Sequence, residues 1–263
     1  MRKHIIFISF VLFMSACSSV LITGRKQLLL VSNSEVLSMS AVSYKQFVDS
    51  VPMSTDNKNV TLVKAVGENI SASVIDYMNS NGLAEETTNY AWEFNLVQDT
   101  TVNAFCMPGG KVVVYEGILG KTLTEAGLAV VMGHEIAHAV AKHSNERLTQ
   151  QMIASYGAGL TDMLLANRSE ATRQSISILY GIGAQVGMIL PYSRKHEYEA
   201  DRLGLIFMAM AGYDPNEAIS FWERMSADNT GSSLEFMSTH PSDAKRIVKM
   251  KEVLPEALKY YKK

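Results

Sequence analysis

The sequence has few cysteines, little excess charge of either sign, and no repeat array or low-complexity tail. Its two cysteines are Cys17 and Cys106, and if Cys17 carries a lipid, no pair remains for an internal disulfide. The formal net charge of −2 argues against nucleic acid as the main partner. With 47% hydrophobic and 19% charged residues, the 263-residue chain has ordinary globular composition.

Long hydrophobic runs are missing too. The apolar run at residues 5–14 follows a positively charged start, and it is shorter than the roughly 20 residues of a membrane-spanning helix. The small residues before Cys17 resemble the lipobox of bacterial lipoproteins, in which the cysteine is lipidated and becomes the mature N-terminus. We therefore predict a lipoprotein signal peptide over residues 1–16, lipidation of Cys17, and a lipid-anchored extended lead-in over 17–33.

The alternative to a lipid anchor is an ordinary signal peptide with a nearby cysteine. Ser18 lacks the aspartate often linked to inner-membrane retention. The expected location is therefore a bacterial cell envelope, on the outer membrane and facing the periplasm.

Histidines are also few, six in all, and two of them lie in the pentapeptide H-E-I-A-H at residues 134–138. On a helix, residues i and i+4 share a face, so His134 and His138 can bind one metal ion. Glu135 can then reach a metal-bound water as general base, and one zinc ion per chain is expected. The alternative is a helix with two incidental histidines, which the apolar flanks disfavour because buried imidazoles need partners.

Local signals predict where this helix begins and ends. Thr122 and Glu125 match the S/T-x-x-E capping box, so the helix is expected to start there. We expect it to continue to Lys142 and His143. His143 lies about 140° around the helix from His138 and is expected to be a solvated residue of the helix end.

The third metal ligand has to lie outside this helix. The longer pattern H-E-x-x-H-x-x-G-x-x-H needs glycine and histidine where the chain has Ala141 and Ser144. Glu197 and Asp201 stand at i, i+4 in a predicted helix, so Glu197 can complete a His/His/Glu set. Asp201 can then hydrogen-bond a ligating histidine. His196 is the rival ligand, but it lacks matching acidic support four residues on.

The remaining patterns predict an α+β fold that is mostly helical. Segments 90–97, 101–106 and 111–115 are rich in aliphatic and aromatic residues and are predicted to be strands, the last two forming a hairpin that leads into the metal helix. An exposed strand edge could hold a peptide substrate as an added strand, or the strands could serve only as core. We expect one domain over 34–263, with a glycine-rich helical cap at 144–192.

Four motifs in this order resemble one family. They are Asn103-Ala104-Phe105 with the later Pro108-Gly109-Gly110, the H-E-I-A-H pentapeptide, Glu197-Tyr198-Glu199-Ala200-Asp201, and Thr239-His240-Pro241. The set is similar to the HtpX/CAAX-prenyl-protease type of zinc metallopeptidase, a gluzincin family. Within this family, the chain is most similar to bacterial periplasmic lipoprotein members. Its segment Thr23-Gly24-Arg25-Lys26-Gln27 also resembles the start of those members.

The resemblance implies a zincin-like fold with a small β-sheet over the active-site helix. It implies zinc on His134, His138 and Glu197, Glu135 as general base and acid, and Asp201 in support of the ligands.

The same resemblance implies roles in substrate binding. The strand around Asn103, Ala104 and Phe105 would bind the substrate backbone. His240, acting with the metal, would stabilise the oxyanion, and Arg246 would help to bind substrate.

Two functions follow as hypotheses. The first is a membrane-tethered zinc metalloendopeptidase that hydrolyses misfolded or damaged envelope proteins. The alternative is a non-enzymatic, zinc-containing envelope chaperone or assembly factor. The expected partners are polypeptide substrates and, through the N-terminal lipid, a membrane; no nucleic acid is expected, and the oligomeric state stays open.

Overall fold

The computed structural model describes residues 17–164, 190–227 and 244–262, together with positions 166, 170, 174, 236 and 240. The predicted signal peptide and a large part of the predicted cap at 144–192 therefore lie outside the described residues.

Helices predominate over short strands, which confirms the predicted fold class. The helices are α1 (Asn33–Ser50), α2 (Asn57–Ser80), α3 (Ala84–Thr87), α4 (Glu116–Thr122), α5 (Glu125–Val140), α6 (His143–Leu164), α7 (Leu190–Met210), α8 (Glu217–Ala227) and α9 (Ala244–Ala257). The strands are β1 (Cys17–Ser19), β2 (Lys26–Leu28), β3 (Glu93–Val97), β4 (Ala104–Met107) and β5 (Lys111–Tyr115). None of the described helices combines the length and apolar character needed to cross a membrane.

The described residues group into two compact units. The first contains residues up to 35 and residues 142–196, and the second contains 36–141 and 197–263. The predicted single domain over 34–263 and the cap at 144–192 stay predictions.

In the second unit, a three-stranded sheet has the order β3-β5-β4. Strand β3 runs parallel to β5, and β4 pairs with β5 antiparallel, from Ala104 opposite Val114 to Met107 opposite Lys111. The turn between β4 and β5 uses Gly109 and Gly110 at φ 88° and 84°, a left-handed conformation that favours glycine. The predicted hairpin is therefore present, and β4 lies at one edge of the sheet.

Helix α5 begins later than its sequence signal predicts. Its N-cap is Thr124, whose Oγ1 accepts a hydrogen bond from the Gly127 N–H at 3.0 Å. Thr122 instead ends α4, and its hydroxyl donates to the Leu119 carbonyl. The capping box predicted at Thr122 is wrong because Leu123 takes a left-handed φ of 61° and separates the two helices.

The end of α5 also differs from the prediction. The helix ends at Val140, and Lys142, at φ 55°, leaves the helical conformation before α6 starts at His143. His143 is fully buried, so the prediction of a solvated helix-end histidine is wrong.

Two glycines let α5 and α7 approach closely within the second unit. A Cβ added to Gly204 would lie 2.8 Å from the backbone nitrogen of His134, and one added to Gly133 would lie 2.9 Å from the Gly204 carbonyl oxygen. Backbone atoms cannot yield as a flexible side chain can. The close crossing of these helices brings the histidines of α5 next to the acidic residues of α7.

We expect Gly204→Ala to destabilise the metal-free protein by about 1–3 kcal/mol, because the added methyl must push two backbones apart. Urea unfolding measures the change. Gly120→Ala is the matched control, since among the described residues no neighbouring atom lies within 4 Å of a Cβ at that helical position. The control should be neutral or slightly stabilising, and equal effects of both variants would contradict the close crossing.

The first unit contains a hairpin followed by α6. Strands β1 and β2 pair antiparallel, from Cys17 opposite Leu28 to Ser19 opposite Lys26, so part of the predicted extended lead-in is paired. Arg25, beside β2, donates from Nη1 and Nη2 to the two carboxylate oxygens of Glu146 in α6, at 2.9 and 2.7 Å. The Leu30 N–H also donates to Thr149 Oγ1 at 3.0 Å. These bonds hold the hairpin segment against α6.

Two buried histidines complete this polar cluster of the first unit. His196 Nε2 lies 2.9 Å from Glu146 Oε2, at hydrogen-bonding distance. The His143 ring stacks on the His196 ring, with centroids 4.2 Å apart and an interplanar angle of 16°. His196, the rival ligand, therefore binds a carboxylate outside the metal centre described below.

This cluster predicts a pH dependence of stability. Burial would raise the pKa of Glu146, but the hydrogen bonds from His196 and Arg25 outweigh it and lower the pKa to about 2, against 4.5 ordinarily. A lowered folded-state pKa stabilises the fold above pH 4.5, and this contribution is lost as the pH falls towards 2. In thermal unfolding, the wild type should exceed Glu146→Gln in Tm at pH 7, with the difference shrinking below pH 4.5. A constant difference would contradict this.

Candidate metal centre

Four buried side chains of the second unit converge on one point. They are His134 and His138 of α5, Glu197 of α7, and His240, and their ligand atoms all lie within 4.8 Å of one another. His134 Nε2 lies 3.1 Å from His138 Nε2 and 3.3 Å from Glu197 Oε2, and His138 Nε2 lies 3.4 Å from Glu197 Oε1. The i, i+4 spacing in α5 thus places two imidazoles beside the carboxylate of α7.

These spacings fit a metal ion. A tetrahedral zinc with bonds of about 2.0–2.1 Å sets its ligand atoms about 3.3 Å apart. Two imidazole nitrogens facing each other at 3.1 Å would repel unless a proton or a cation lay between them. The spacing of His134, His138 and Glu197 therefore fits a bound metal ion.

His240 lies closer to the centre than its predicted role as a catalytic helper requires. Its Nδ1 is 3.2 Å from His134 Nε2 and 3.0 Å from Glu197 Oε2, the same spacing as between the expected ligands. Its Nε2 is 3.3 Å from Glu135 Oε1. One imidazole thus borders both the ligand atoms and the predicted general base.

Glu135 borders the ligand candidates. The residue is 3% exposed, and its Oε1 lies 3.3 Å from His240 Nε2 without forming a hydrogen bond with any residue that the structure describes. The role of Glu135 as general base stays a prediction.

Asp201 lies behind His134, one of the ligand candidates. Its Oδ1 lies 3.0 Å from His134 Nδ1, on the far side of the ring from the centre. Burial raises the pKa of Asp201, but the Arg246 guanidinium outweighs it and the pKa is lowered. An ionised Asp201 favours the His134 tautomer whose Nε2 lone pair faces the metal.

The carboxylates make the centre attractive to positive charge. Burial lowers the pKa of His134, but its hydrogen bonds with Asp201 and Glu197 raise it to about 9. Burial raises the pKa of Glu197, but the nearby histidines hold it well below its usual range. The metal-free site thus draws a proton onto His134, and a cation would replace that proton.

Arg246 is buried and paired with Asp201. It is 1% exposed, and its Nε and Nη2 donate to the two Asp201 oxygens at 2.8 and 2.6 Å. Its Nη1 donates to the His240 carbonyl, and its guanidinium lies 4.0 Å from the centre of the Trp222 ring. Arg246 thus binds Asp201 and the His240 backbone, and its contact with substrate stays a prediction.

The predicted substrate strand has its side chains directed inward. Asn103 and Ala104 are buried, and Asn103 Oδ1 accepts a hydrogen bond from the Ala104 N–H at 2.9 Å. The Phe105 ring packs edge-to-face on Phe47. What these residues can offer a substrate is the backbone edge of β4.

A profile of peptidase family M48 matches residues 66–254, a span that includes every metal ligand candidate. The chain belongs to this family. The family resemblance predicted from the four motifs is thereby confirmed, as is its class of metallopeptidase.

Curated relatives include organellar and bacterial proteins. The chain is 45% identical over 168 residues to the mitochondrial metalloendopeptidase OMA1 of Schizosaccharomyces pombe, covering 63% of this chain and 48% of that protein. It is 28% identical over 247 residues to human OMA1, a match that covers 90% of this chain and 46% of that protein. It is 28% identical over 180 residues to the beta-barrel assembly-enhancing protease of Escherichia coli, covering 65% and 37%. The chain thus spans about half or less of each.

These relatives contradict the location predicted from the N-terminus. Proteins matched at 45, 37 and 35% identity are all named mitochondrial metalloendopeptidases. The prediction of a bacterial outer-membrane protein facing the periplasm, which rested on the leader and on the resemblance to periplasmic lipoproteins, is wrong on this comparison.

Proposed function

We propose that this chain is a zinc metalloendopeptidase that hydrolyses peptide bonds of misfolded or damaged polypeptides. The observation that carries the proposal is the convergence of His134, His138 and Glu197 within bonding reach of one ion, with the Glu135 carboxylate beside them. Family membership and the names of the relatives support the reaction class.

Zinc is the metal that the donor set favours. Two imidazole nitrogens and one carboxylate make the His₂Glu set of zinc hydrolases. Magnesium and calcium prefer all-oxygen sites, so two histidines disfavour them. His134, His138 and Glu197 would hold the ion.

The protein's own groups would carry the proton transfers. When bound, zinc supplies a Lewis acid that makes water acidic and polarises the scissile carbonyl. The Glu135 carboxylate accepts a proton from the attacking water and passes it to the leaving amine nitrogen. His240 Nε2, near Glu135, is placed to donate a hydrogen bond to the oxyanion of the tetrahedral intermediate.

The outer edge of β4 offers a substrate its backbone groups. The Tyr115 N–H donates to the Asn103 carbonyl, so Asn103 and Phe105 direct their backbone groups to β5. The Ala104 carbonyl and the backbone groups of Cys106 then face the opposite edge, where a peptide can add as an antiparallel strand, while the Ala104 N–H is bonded to Asn103 Oδ1. This geometry supports binding at residues 103–105 through backbone contacts.

The experiment that tests the function is digestion of unfolded casein by the purified protein. Cleavage should stop after treatment with a chelator and return on addition of zinc. Cleavage that persists in the chelator would contradict a metal-dependent peptidase.

One observation favours a second candidate, a non-enzymatic zinc protein that assists folding or assembly. His240 Nδ1 lies at ligand spacing from His134 and Glu197, and a structural zinc site closes its fourth position with a protein ligand. In that case zinc would raise the Tm, casein would stay intact, and the protein would suppress aggregation of a denatured client. Casein cleavage restored by zinc would exclude this candidate.

We propose separately that Cys17 carries a lipid. Ser15-Ala16 before the cysteine supports this, and the lipid would tether the chain to a membrane. Cys17→Ala should release the protein from the membrane fraction and alter its processing. Unchanged processing and unchanged membrane association of the variant would refute it.

A further inference from the structure

The polar cluster of the first unit ends one residue before a proposed metal ligand. It runs from Arg25 through Glu146 to His196, by hydrogen bonds of 2.9 and 2.7 Å and then a contact of 2.9 Å. The Glu146 side chain is 4% exposed. His196 is followed directly by Glu197 in α7.

The His196 ring is fixed from two directions. Glu146 contacts its edge at Nε2, and His143 covers one face by stacking at 4.2 Å. Both histidines are buried, at 0 and 1% exposure. A ring held at both its edge and its face leaves that part of α7 little freedom to rotate about the helix axis.

Rotation of α7 at this point would move the metal ligand. Consecutive residues of an α-helix are separated by about 100° around the axis, and the hydrogen-bonded backbone transmits any rotation to the neighbour. Metal ligands tolerate little displacement, because bond lengths hold within about 0.2 Å. A fixed His196 therefore sets the direction in which Glu197 projects.

We propose that Arg25, Glu146 and His143 are positioning residues for the metal ligand Glu197, acting through His196. The inference rests on the proposed metal centre. The β1–β2 hairpin thereby has a role in metal binding. Arg25 holds Glu146, Glu146 and His143 hold His196, and α7 limits the direction in which Glu197 projects.

The chain offers a matched control for a purely structural effect. Arg202, also on α7, donates from Nε and Nη2 to both oxygens of Glu256 at 2.9 and 2.8 Å. That pair is also bidentate, but its side chains are 34 and 33% exposed and it lies on the C-terminal side of Glu197.

The test compares Glu146→Gln with Glu256→Gln in the full chain. Zinc affinity is measured by competition with a chromophoric chelator, at a temperature where circular dichroism shows every metal-free variant to be folded. Glu146→Gln should bind zinc about tenfold more weakly than the wild type, in the range seen when groups behind metal ligands are removed. Glu256→Gln should bind zinc as the wild type does. The absorption spectrum of bound cobalt(II) should change in the first variant only.

Arg25→Lys keeps the charge but loses the bidentate geometry, and its zinc affinity should lie between those of the wild type and Glu146→Gln. This milder variant also serves if Glu146→Gln does not fold. Equal zinc affinities and equal cobalt spectra in the wild type, Glu146→Gln and Arg25→Lys would overturn the inference. A wild type that binds zinc but leaves casein intact would overturn the peptidase proposal alone.

Discussion

Replacing Glu135 by glutamine should lower kcat/KM for a peptide substrate by about 10²–10⁴-fold, the usual contribution of a general base. Glutamine keeps the shape of the side chain but cannot accept the proton of the attacking water. The native Glu135 oxygen Oε1 is buried and lies 3.3 Å from His240 Nε2, beside the ligand candidates. Steady-state cleavage of a fluorogenic peptide measures the loss.

The same variant should keep its metal. His134, His138 and Glu197 are unchanged, so one zinc per chain is expected by elemental analysis of Glu135→Gln. Loss of activity together with loss of zinc would show that the substitution had disrupted the centre. Cleavage within tenfold of the wild type would refute Glu135 as the base.

Arg246→Met should lower the free energy of unfolding by about 3–5 kcal/mol, the second large effect. Arg246 is 1% exposed and Asp201 is 6% exposed, so removing the guanidinium leaves a buried carboxylate without its counter-charge. The variant also removes the donor to the His240 carbonyl, and zinc binding should weaken as well. Urea unfolding of the metal-free protein measures the first effect.

Arg202→Met is the matched control for Arg246→Met. Both arginines bind a carboxylate bidentately and both pairs involve α7, but the Arg202–Glu256 pair is about one-third exposed. An exposed pair contributes about 0–1 kcal/mol. Adding Asp201→Asn to Arg246→Met should recover part of the loss, because the uncompensated charge is gone. Similar losses for the two arginine variants would contradict a buried ion pair at the metal centre.

The parts of the fold set by local chemistry could be predicted from the sequence. The i, i+4 histidines, the alternating strands and the Gly109-Gly110 turn depend on residues close together in the chain. The start of α5 could not be predicted from the sequence, because two threonines have the residue type of an N-cap. Glu125 follows Thr122 by three residues, as in a capping box, and Gly127 follows Thr124 by three residues. The backbone between the two helices decides it: Leu123 takes a left-handed φ of 61°, and the chain folds so closely there that a Cβ at Gly127 would lie 2.0 Å from the Thr122 carbonyl oxygen.

The site divides in the same way. His134, His138 and Glu135 follow from helix periodicity, and the Glu197–Asp201 pair follows from the same rule applied to α7. His240 contacts His134 although 106 residues separate them in the sequence. No local sequence pattern shows whether such a histidine lies beside the metal ligands or among them. Arg246 carried no signal for burial, since arginine is seldom buried unless it is paired. The Arg25–Glu146 pair could not be predicted from the sequence either, because its residues are 121 positions apart.

The central claim is that one zinc ion held by α5 and α7 makes this chain a peptidase. Anomalous diffraction at the zinc edge, from crystals of the zinc-loaded protein, tests it most directly. We expect one strong peak within bonding distance of His134 Nε2, His138 Nε2 and a carboxylate oxygen of Glu197. A peak elsewhere, or no peak in a protein that still cleaves peptides, would contradict the account.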